Sequence, residues 1–268
     1  MKTISVITVG MNHKRFVETL YNSLFVNNIP TMVFEAIYID NCSTDGSVDY
    51  IKEHYPQVKI VQNVEPLGFG ENNNKGVMAS VGDYIAIINP DIILQEDSID
   101  KICRKLEETQ ENAIYAPQLL NPDGSVQYSV RSFITLRMFM RRVLSRGDDS
   151  NVSNEMIKYL CKDIDVEKTQ TVDWAMGAAL FMSRETYAKL GGFDQRYFLY
   201  MEDEDMCLRA WKMNIPVIYY PEAKMIHNHL RGSSKLGKKT LMHFKSLFTF
   251  FRRHGLSVKS QKSNFKII

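Results

Sequence analysis

Four short apolar runs, Ile4–Val9, Ala36–Ile39, Lys59–Gln62 and Tyr84–Ile88, alternate with segments that carry apolar residues at helical spacing: Arg15–Val26, Ser47–His54, Asn72–Ser80 and, after the fourth run, Ser98–Thr109. Strand, helix, strand, helix in regular succession is the pattern of a parallel, doubly wound α/β sheet. In such sheets ligands gather beyond the carboxyl ends of the strands. The residues just after each apolar run therefore matter more than the run itself.

The chain has 268 residues, 44% hydrophobic and 24% charged, which suits one large α/β domain or one domain with an appendage. A net charge of +2 gives no global reason to expect nucleic acid, and none is expected as a partner. The signs are unevenly spread, with acids clustered at Glu202–Asp205 and basic residues dominating from Lys235 onward. Cys42, Cys103, Cys161 and Cys207 lie far apart with no CxxC pair, so reduced thiols in a cytosolic protein are expected rather than a zinc site or a disulfide framework. Met1-Lys2-Thr3 leads straight into a strand without the apolar stretch of a signal peptide. No run approaches the roughly 20 apolar residues that span a bilayer.

Beyond residue 113 the alternation breaks down. Asn121-Pro122-Asp123-Gly124-Ser125 is a turn between two strand-like pieces. Arg131–Arg146 is basic and amphipathic, and a polar stretch expected to be mobile follows through Asn154. Val172–Met182 is apolar and strand-like around Gly177, Arg184–Leu190 is a helix stopped by Gly191-Gly192, Asp203–Met213 is a helix and Val217–Tyr220 a strand. Leu241–His254 is an aromatic, basic helix. There is no internal repeat and no low-complexity segment.

Several segments offer chemistry, each with a plainer alternative. Asn89-Pro90-Asp91 ends the apolar run Tyr84–Ile88, and a carboxylate there can hold a divalent cation on a diphosphate; Asn-Pro also marks an ordinary turn. Asp40 and Asn41 could read a pyrimidine edge or a ribose hydroxyl, or could form an Asx turn that caps the next helix. Gly68 to Gly76, with Asn72, Asn73, Asn74 and Lys75, opens a helix whose backbone amides suit a phosphate or nucleotide, or is simply a capped helix. Glu202-Asp203-Glu204-Asp205 favours the start of its helix through the dipole. A carboxylate among acids and aromatics also tends toward a raised pKa, as a general base needs. His227 and His229, with Arg231, Ser233 and Ser234 close behind, could complete a metal site and hold phosphates, or could be structural or solvated loop histidines.

In combination these stretches resemble the family-2 inverting glycosyltransferases of the GT-A fold. The likeness runs through Ile4-Ser5-Val6-Ile7-Thr8 with Asn12, Asp40 to Ser47, Leu67 to Gly76, and Gly82-Asp83-Tyr84 to Asn89-Pro90-Asp91. It continues through Val172-Asp173-Trp174, Gly177-Ala178, Gly191-Gly192-Phe193-Asp194, Phe198 to Asp205, and His227. It is nearest to the rhamnosyltransferase-like branch that builds bacterial surface polysaccharides. Met11 stands where the family often has Tyr, and Asn89-Pro90-Asp91 replaces an aspartate-x-aspartate pair, so one carboxylate is offered instead of two.

The resemblance implies an α/β fold with helices on both faces of a mostly parallel sheet. Residues 1–232 would form the GT-A domain, with 1–112 the nucleotide-sugar half and 113–232 the acceptor half, and 233–268 a basic helical extension. It implies Asp203 as catalytic base, and Asp91 with His227 as ligands of Mg2+ or Mn2+. Asp40 would contact the base or ribose, Trp174 and Gly177 would line the donor–acceptor pocket, and Arg231 and Ser233 would neighbour the pyrophosphate. Thr8, Asn12, Asn41, Asn73, Lys75, Asn89 and Glu202 would join the nucleotide-sugar contacts. The expected partners are a nucleotide-diphospho-sugar, first of all dTDP-rhamnose, and a saccharide or lipid-linked acceptor. A nucleotidyltransferase or a catalytically inactive sugar-nucleotide-binding module are the alternatives. The location implied is cytoplasmic, with the basic helices at Arg131–Arg146 and Lys235–Arg253 either lying on the inner face of the cell membrane or packing on the domain or across a homodimer.

Overall fold

The computed structural model describes residues 2–108, 112–144, 153–228 and 238–260. The first half runs β1 (Thr3–Gly10), α1 (Lys14–Asn22) continued by one π-helical turn Ser23–Asn27, β2 (Val33–Asp40), α2 (Ser47–His54), β3 (Lys59–Gln62), α3 (Phe69–Met78), β4 (Tyr84–Ile88), β5 (Ile92–Leu94) and α4 (Ser98–Glu108). The second half runs β6 (Ile114–Leu120), β7 (Val126–Gln127), β8 (Val130–Arg131), α5 (Leu136–Leu144), α6 (Asn154–Tyr159), β9 (Gln170–Thr171), β10 (Trp174–Ala175), β11 (Ala179–Ser183), α7 (Arg184–Leu190), α8 (Glu202–Lys212), β12 (Val217–His227) and α9 (Lys238–His254).

Among the described residues these strands form a ten-stranded sheet with the path β3-β2-β1-β4-β11-β6-β12-β5, to which β7 adds on β6 and β9 on β12. β3, β2, β1 and β4 are parallel, as are β6 and β12, while β11 runs antiparallel between β4 and β6. The sheet is therefore mixed, with most of its paired length parallel. β8 and β10 make a separate two-stranded sheet.

Successive strand residues point to opposite faces, and β4 divides accordingly. Ile85 and Ile87 enter the core cluster that also holds Ile7, Ile37 and Ile39, whereas Tyr84, Ala86 and Ile88 enter the opposite one with Ile4, Val6 and Tyr38. A strand with both faces covered has no polar side, which is why Tyr84–Ile88 reads as an unbroken apolar run. Burying one such isoleucine contributes about 1.5–3 kcal/mol. The α9 side chains Leu247, Phe250 and Phe251 lie in the same cluster as Met206 and Trp211 of α8. Beyond α9 the chain doubles back: Ser257 bridges Thr135, and the Leu136 amide donates to the Leu256 carbonyl at 2.9 Å.

Three local expectations change. Val217–Tyr220 continues past Pro221 to His227, because the proline falls in a bulge where pairing to β6 jumps from Tyr220–Pro117 to Lys224–Gln118, a position at which a missing amide costs no ladder bond. Val172–Met182 is not one strand, since β10 leaves to pair with β8 and Gly177 separates it from β11. The turn of helix beginning at Asn154 is capped by Ser153, whose side chain accepts from the Met156 amide. Most of the polar stretch before it, the boundary at 232–233, and His229, Arg231, Ser233 and Ser234 lie outside the described residues.

Candidate active site

The carboxyl ends of β2, β1, β4, β6 and β12 share one edge of the sheet, and antiparallel β11 begins there. Gly10 stands opposite Asp40, the Asn89 amide donates to the Ala178 carbonyl at 2.9 Å, and His227 pairs with Ile92 just past Asp91. Asp40, Asn89, Asp91, Gly177 and His227 thus belong to one rim, although they are spread over most of the sequence, whereas Thr8 lies two residues short of it, buried opposite Tyr38.

At the β2 end of that rim the amide side chains are already occupied. Asn41 donates to the Leu67 carbonyl at 3.0 Å, and its oxygen accepts the Leu67 amide at 2.8 Å and Asn63 Nδ2 at 3.0 Å. Asn63 also donates to Asn72 Oδ1 at 2.5 Å and accepts from Lys75 Nζ at 3.0 Å. Asn72 donates to the Leu67 and Gly68 carbonyls, and Asn73 to Phe69. Asn12 holds a left-handed backbone, φ 58°, and clamps the first rim loop to the second by accepting the Thr44 amide at 2.8 Å. Buried Asp40 accepts the Ser43 amide at 3.2 Å in an Asx-type turn. Asn63, which follows the third apolar run as Asp40 follows the second, is the hub that reading by motif passed over.

The second feature is Asp91 with His227. His227 is buried, its Nε2 lies 3.5 Å from Asp91 Oδ1, and its Nδ1 is 2.6 Å from Gln127 Oε1. An amide oxygen can only accept, so Nδ1 carries a proton and Nε2 is the nitrogen turned toward the carboxylate, with its lone pair available to a cation in the neutral ring. Gln127 is itself held, donating to Asn121 Oδ1 at 3.0 Å. Asp91 Oδ1 is buried without a hydrogen-bond partner. A lone pair and an orphaned carboxylate oxygen turned to one point fit a divalent cation, and a ligating histidine fixed through its other nitrogen is the usual arrangement. Among the described residues no cluster of three or more His, Cys, Asp or Glu side chains could hold a metal ion, so this pair would need oxygens from a ligand or water.

The third feature is the acid block that opens α8. Two consecutive non-glycine residues with left-handed backbone, Tyr200 at φ 69° and Met201 at φ 70°, turn the chain into the helix. The four acids then diverge. Glu202 is buried beside Gly70, with one oxygen unpartnered; burial and then the neighbouring Asp203 charge push its carboxyl well up. Glu204 accepts the Ile134 amide at 2.6 Å, and burial pushes it well up too. Asp205 is fully buried and accepts Arg209 Nε at 2.7 Å and His254 Nε2 at 2.8 Å. Burial alone would raise its carboxyl, but these partners hold it below the ordinary value.

Asp203 remains partly exposed, accepting the Gly177 amide at 2.9 Å and the Glu204 amide at 2.9 Å. Burial raises its carboxyl, and those two amides restrain the rise. A Cβ on Gly177 would stand 3.4 Å from both Asp203 Cβ and Phe69, so α3, the start of β11 and α8 meet around this carboxylate. Gly68 is required by the same convergence, since a Cβ there would fall 2.8 Å from the Phe198 carbonyl. Trp174 is fixed close by, its Nε1 donating to the Ser132 carbonyl at 2.9 Å.

A rim with a two-ligand cation corner and a separate, partly exposed carboxylate suits transfer chemistry on a diphosphate, and comparison with known proteins agrees. Residues 5–186 match the family described as Glycosyl transferase family 2. The chain belongs to that family. This family-2 chain is 30% identical over 224 residues to N-acetylglucosaminyl-diphospho-decaprenol L-rhamnosyltransferase of Mycobacterium tuberculosis, covering 79% of this chain and 72% of the relative. It is 27% identical over 260 residues to rhamnosyltransferase WbbL of Escherichia coli, covering 93% of each. Among solved structures, that of GalNAc-T7 with UDP, GalNAc and Mn2+ superposes with a TM-score of 0.69 at 14% identity over 94% of this chain. The chain spans about half (48%) of GalNAc-T7, and the likeness establishes the GT-A fold.

Gln127 and Asn121, which stand in line behind the His227 ring, are the neighbours that motif reading missed. Gln127 lies in β7, a two-residue strand with no periodicity of its own, and Asn121 in the turn that joins β7 to β6.

Proposed function

We propose that this family-2 chain moves a sugar from a nucleoside-diphosphate donor to a hydroxyl of a saccharide or lipid-linked saccharide in cell-surface glycan synthesis. dTDP-rhamnose is the first donor candidate and uridine-diphosphate sugars come next. The rhamnosyltransferase names of the relatives support the sugar, and the diphospho-decaprenol acceptor in one of those names supports the lipid link. The observation that carries the reading is Asp203, the one partly exposed acid of its block, turned to Gly177 at the rim.

In this reaction the acceptor oxygen attacks the anomeric carbon as the bond from that carbon to the diphosphate oxygen breaks. The bonding pair leaves with the nucleoside diphosphate, the acceptor proton passes to an Asp203 oxygen, and one displacement inverts the centre. The raised carboxyl of Asp203 favours taking that proton. Asp91 and His227 would hold Mg2+ or Mn2+, which when bound supplies Lewis-acid neutralisation of charge on the diphosphate. Asp40 would face the base or ribose. Asn12, Asn41, Asn73 and Lys75, bonded within the loops, would shape the nucleotide cleft, and Thr8, Asn89, Glu202 and Trp174 would line it. Arg231 and Ser233 would neighbour the pyrophosphate.

The test measures released nucleoside diphosphate from dTDP-rhamnose and UDP-sugars, for wild type and Asp203→Asn. Removing a general base lowers turnover by about 10²–10⁴-fold, while the stabilisation of the fold by donor nucleotide with Mn2+ should persist. Retained turnover removes Asp203 as the base, and pyrophosphate as the product makes the chain a nucleotidyltransferase.

A further inference from the structure

The α9 helix buries one side and leaves the other bare. Leu247, Phe250 and Phe251 are buried, whereas Leu241, Phe244 and Phe248 are 74%, 45% and 69% exposed. The three exposed residues recur at intervals of three and four, so they form one stripe. α5 extends the stripe: Phe139 meets Phe244 edge-on at 5.6 Å between ring centroids, and Leu136 and Met140 of α5 are exposed.

The two helices that carry the stripe contribute charge of one sign only. α5 and α9 contain Arg137, Arg141, Arg142, Lys238, Lys239, Lys245, Arg252 and Arg253 without a single acid. Glu155 answers Arg137 and Arg141. At the far end of the stripe Arg196, Phe248, Thr249, Arg252 and Arg253 line a cavity of about 510 Å³. Asp194 pairs with Arg196 and Arg253, and Arg253 also lies 3.7 Å from Asp205; Arg252 is exposed. An exposed aromatic stripe ending in an arginine-lined cavity complements phosphates seated above acyl chains, whereas a second copy of this basic face would repel it.

We infer that the outer face of α9, continued by α5, docks on an anionic phospholipid bilayer, with lipid phosphates entering the cavity formed by Arg196, Arg252 and Arg253. The inference rests on the proposed membrane-borne acceptor for its purpose, though not for its geometry. The opposite side of α9 adjoins the site: the His243 ring lies 4.8 Å from that of Tyr200, and Ser246 donates to the Leu199 carbonyl, in the segment that leads into Glu202 and Asp203. A bilayer against the outer face would bring a lipid-linked saccharide to the acid end of the rim.

The test sediments the whole chain at low salt with vesicles of phosphatidylcholine alone and of phosphatidylcholine with phosphatidylglycerol. The anionic vesicles should carry the protein down, and added salt should release it. Leu241→Glu with Phe248→Glu should weaken binding at least tenfold. Arg196→Gln with Arg252→Gln should weaken it roughly fivefold per arginine. All four side chains are exposed, so melting temperatures should not move. Failure of wild type to bind anionic vesicles, or undiminished binding by the glutamate pair, overturns the inference. So does a solution dimer that the glutamate pair dissolves, or full displacement by inorganic phosphate at matched ionic strength. Melting shifts with dTDP or UDP and Mn2+ are read separately. Nucleotide binding without vesicle binding removes the docking face alone, and vesicle binding without nucleotide binding removes the transferase reading alone.

Discussion

Asp205→Asn separates an anchoring acid from a reacting one within a block of four. The carboxylate is fully buried and accepts Arg209 Nε at 2.7 Å, His254 Nε2 at 2.8 Å and the Tyr197 hydroxyl at 3.3 Å. Asparagine keeps the volume but removes the charge and turns an NH2 toward donors. Breaking a buried ion pair from one side costs about 3–5 kcal/mol. Arg209 keeps the Leu190 and Gly192 carbonyls, which sets the expectation at the lower end, about 3 kcal/mol. A chain of this size loses about 2–4 °C of melting temperature per kcal/mol, so a fall of about 6–12 °C is expected. The folded carboxyl is held below its ordinary value, so its contribution is complete above the unfolded value of about 3.9 and disappears as pH falls through the folded one. Urea unfolding across pH should therefore show the full gap between wild type and variant at neutrality and a narrowing gap below about pH 4. A loss under about 1 kcal/mol, or a gap that does not narrow, would refute the reasoning.

Two further predictions concern the rim. Gln127→Leu should leave the fold intact yet weaken Mn2+ binding in the presence of nucleoside diphosphate by about 10–100-fold, because the His227 ring loses the acceptor that fixes its tautomer; unchanged affinity by Mn2+ titration would show that Gln127 does not orient the ring. The acid limb of kcat/KM should lie above the ordinary aspartate value of about 3.9, since burial raises the Asp203 carboxyl and the base fails once protonated. A limb at or below that value would mean that another group takes the proton.

The parallel half of the fold could be read from the chain because each of its strands is a complete apolar run between helical segments. The strands that eluded reading, β5, β8 and β9, are two or three residues long, too short for any alternation to register, and β10 was merged with β11 into one run. Pro221 gave a sound local reason to end β12, and only the bulge opposite Pro117–Gln118 overrides it. Asp40 and Asp91 were visible because each follows a run. The acid block was visible as a block, but successive helical residues turn by about 100°, so its members face different surroundings that only packing can assign. Gln127 meets His227 across 100 residues, a relation no window contains.

The bulge in β12 also limits how this chain can change over evolutionary time. Loops at the opposite edge of the sheet, away from the carboxyl ends of the parallel strands, can lengthen or shorten with little effect on the rim. Between Tyr220 and His227, an inserted residue that the bulge does not absorb would present Ile226 beside Asp91 in place of the imidazole, and a deleted one would present Asn228. A slip of one residue moves each neighbour into the next position. Descendants of this sequence should therefore keep a constant count of residues across that interval, even where the residues themselves are replaced.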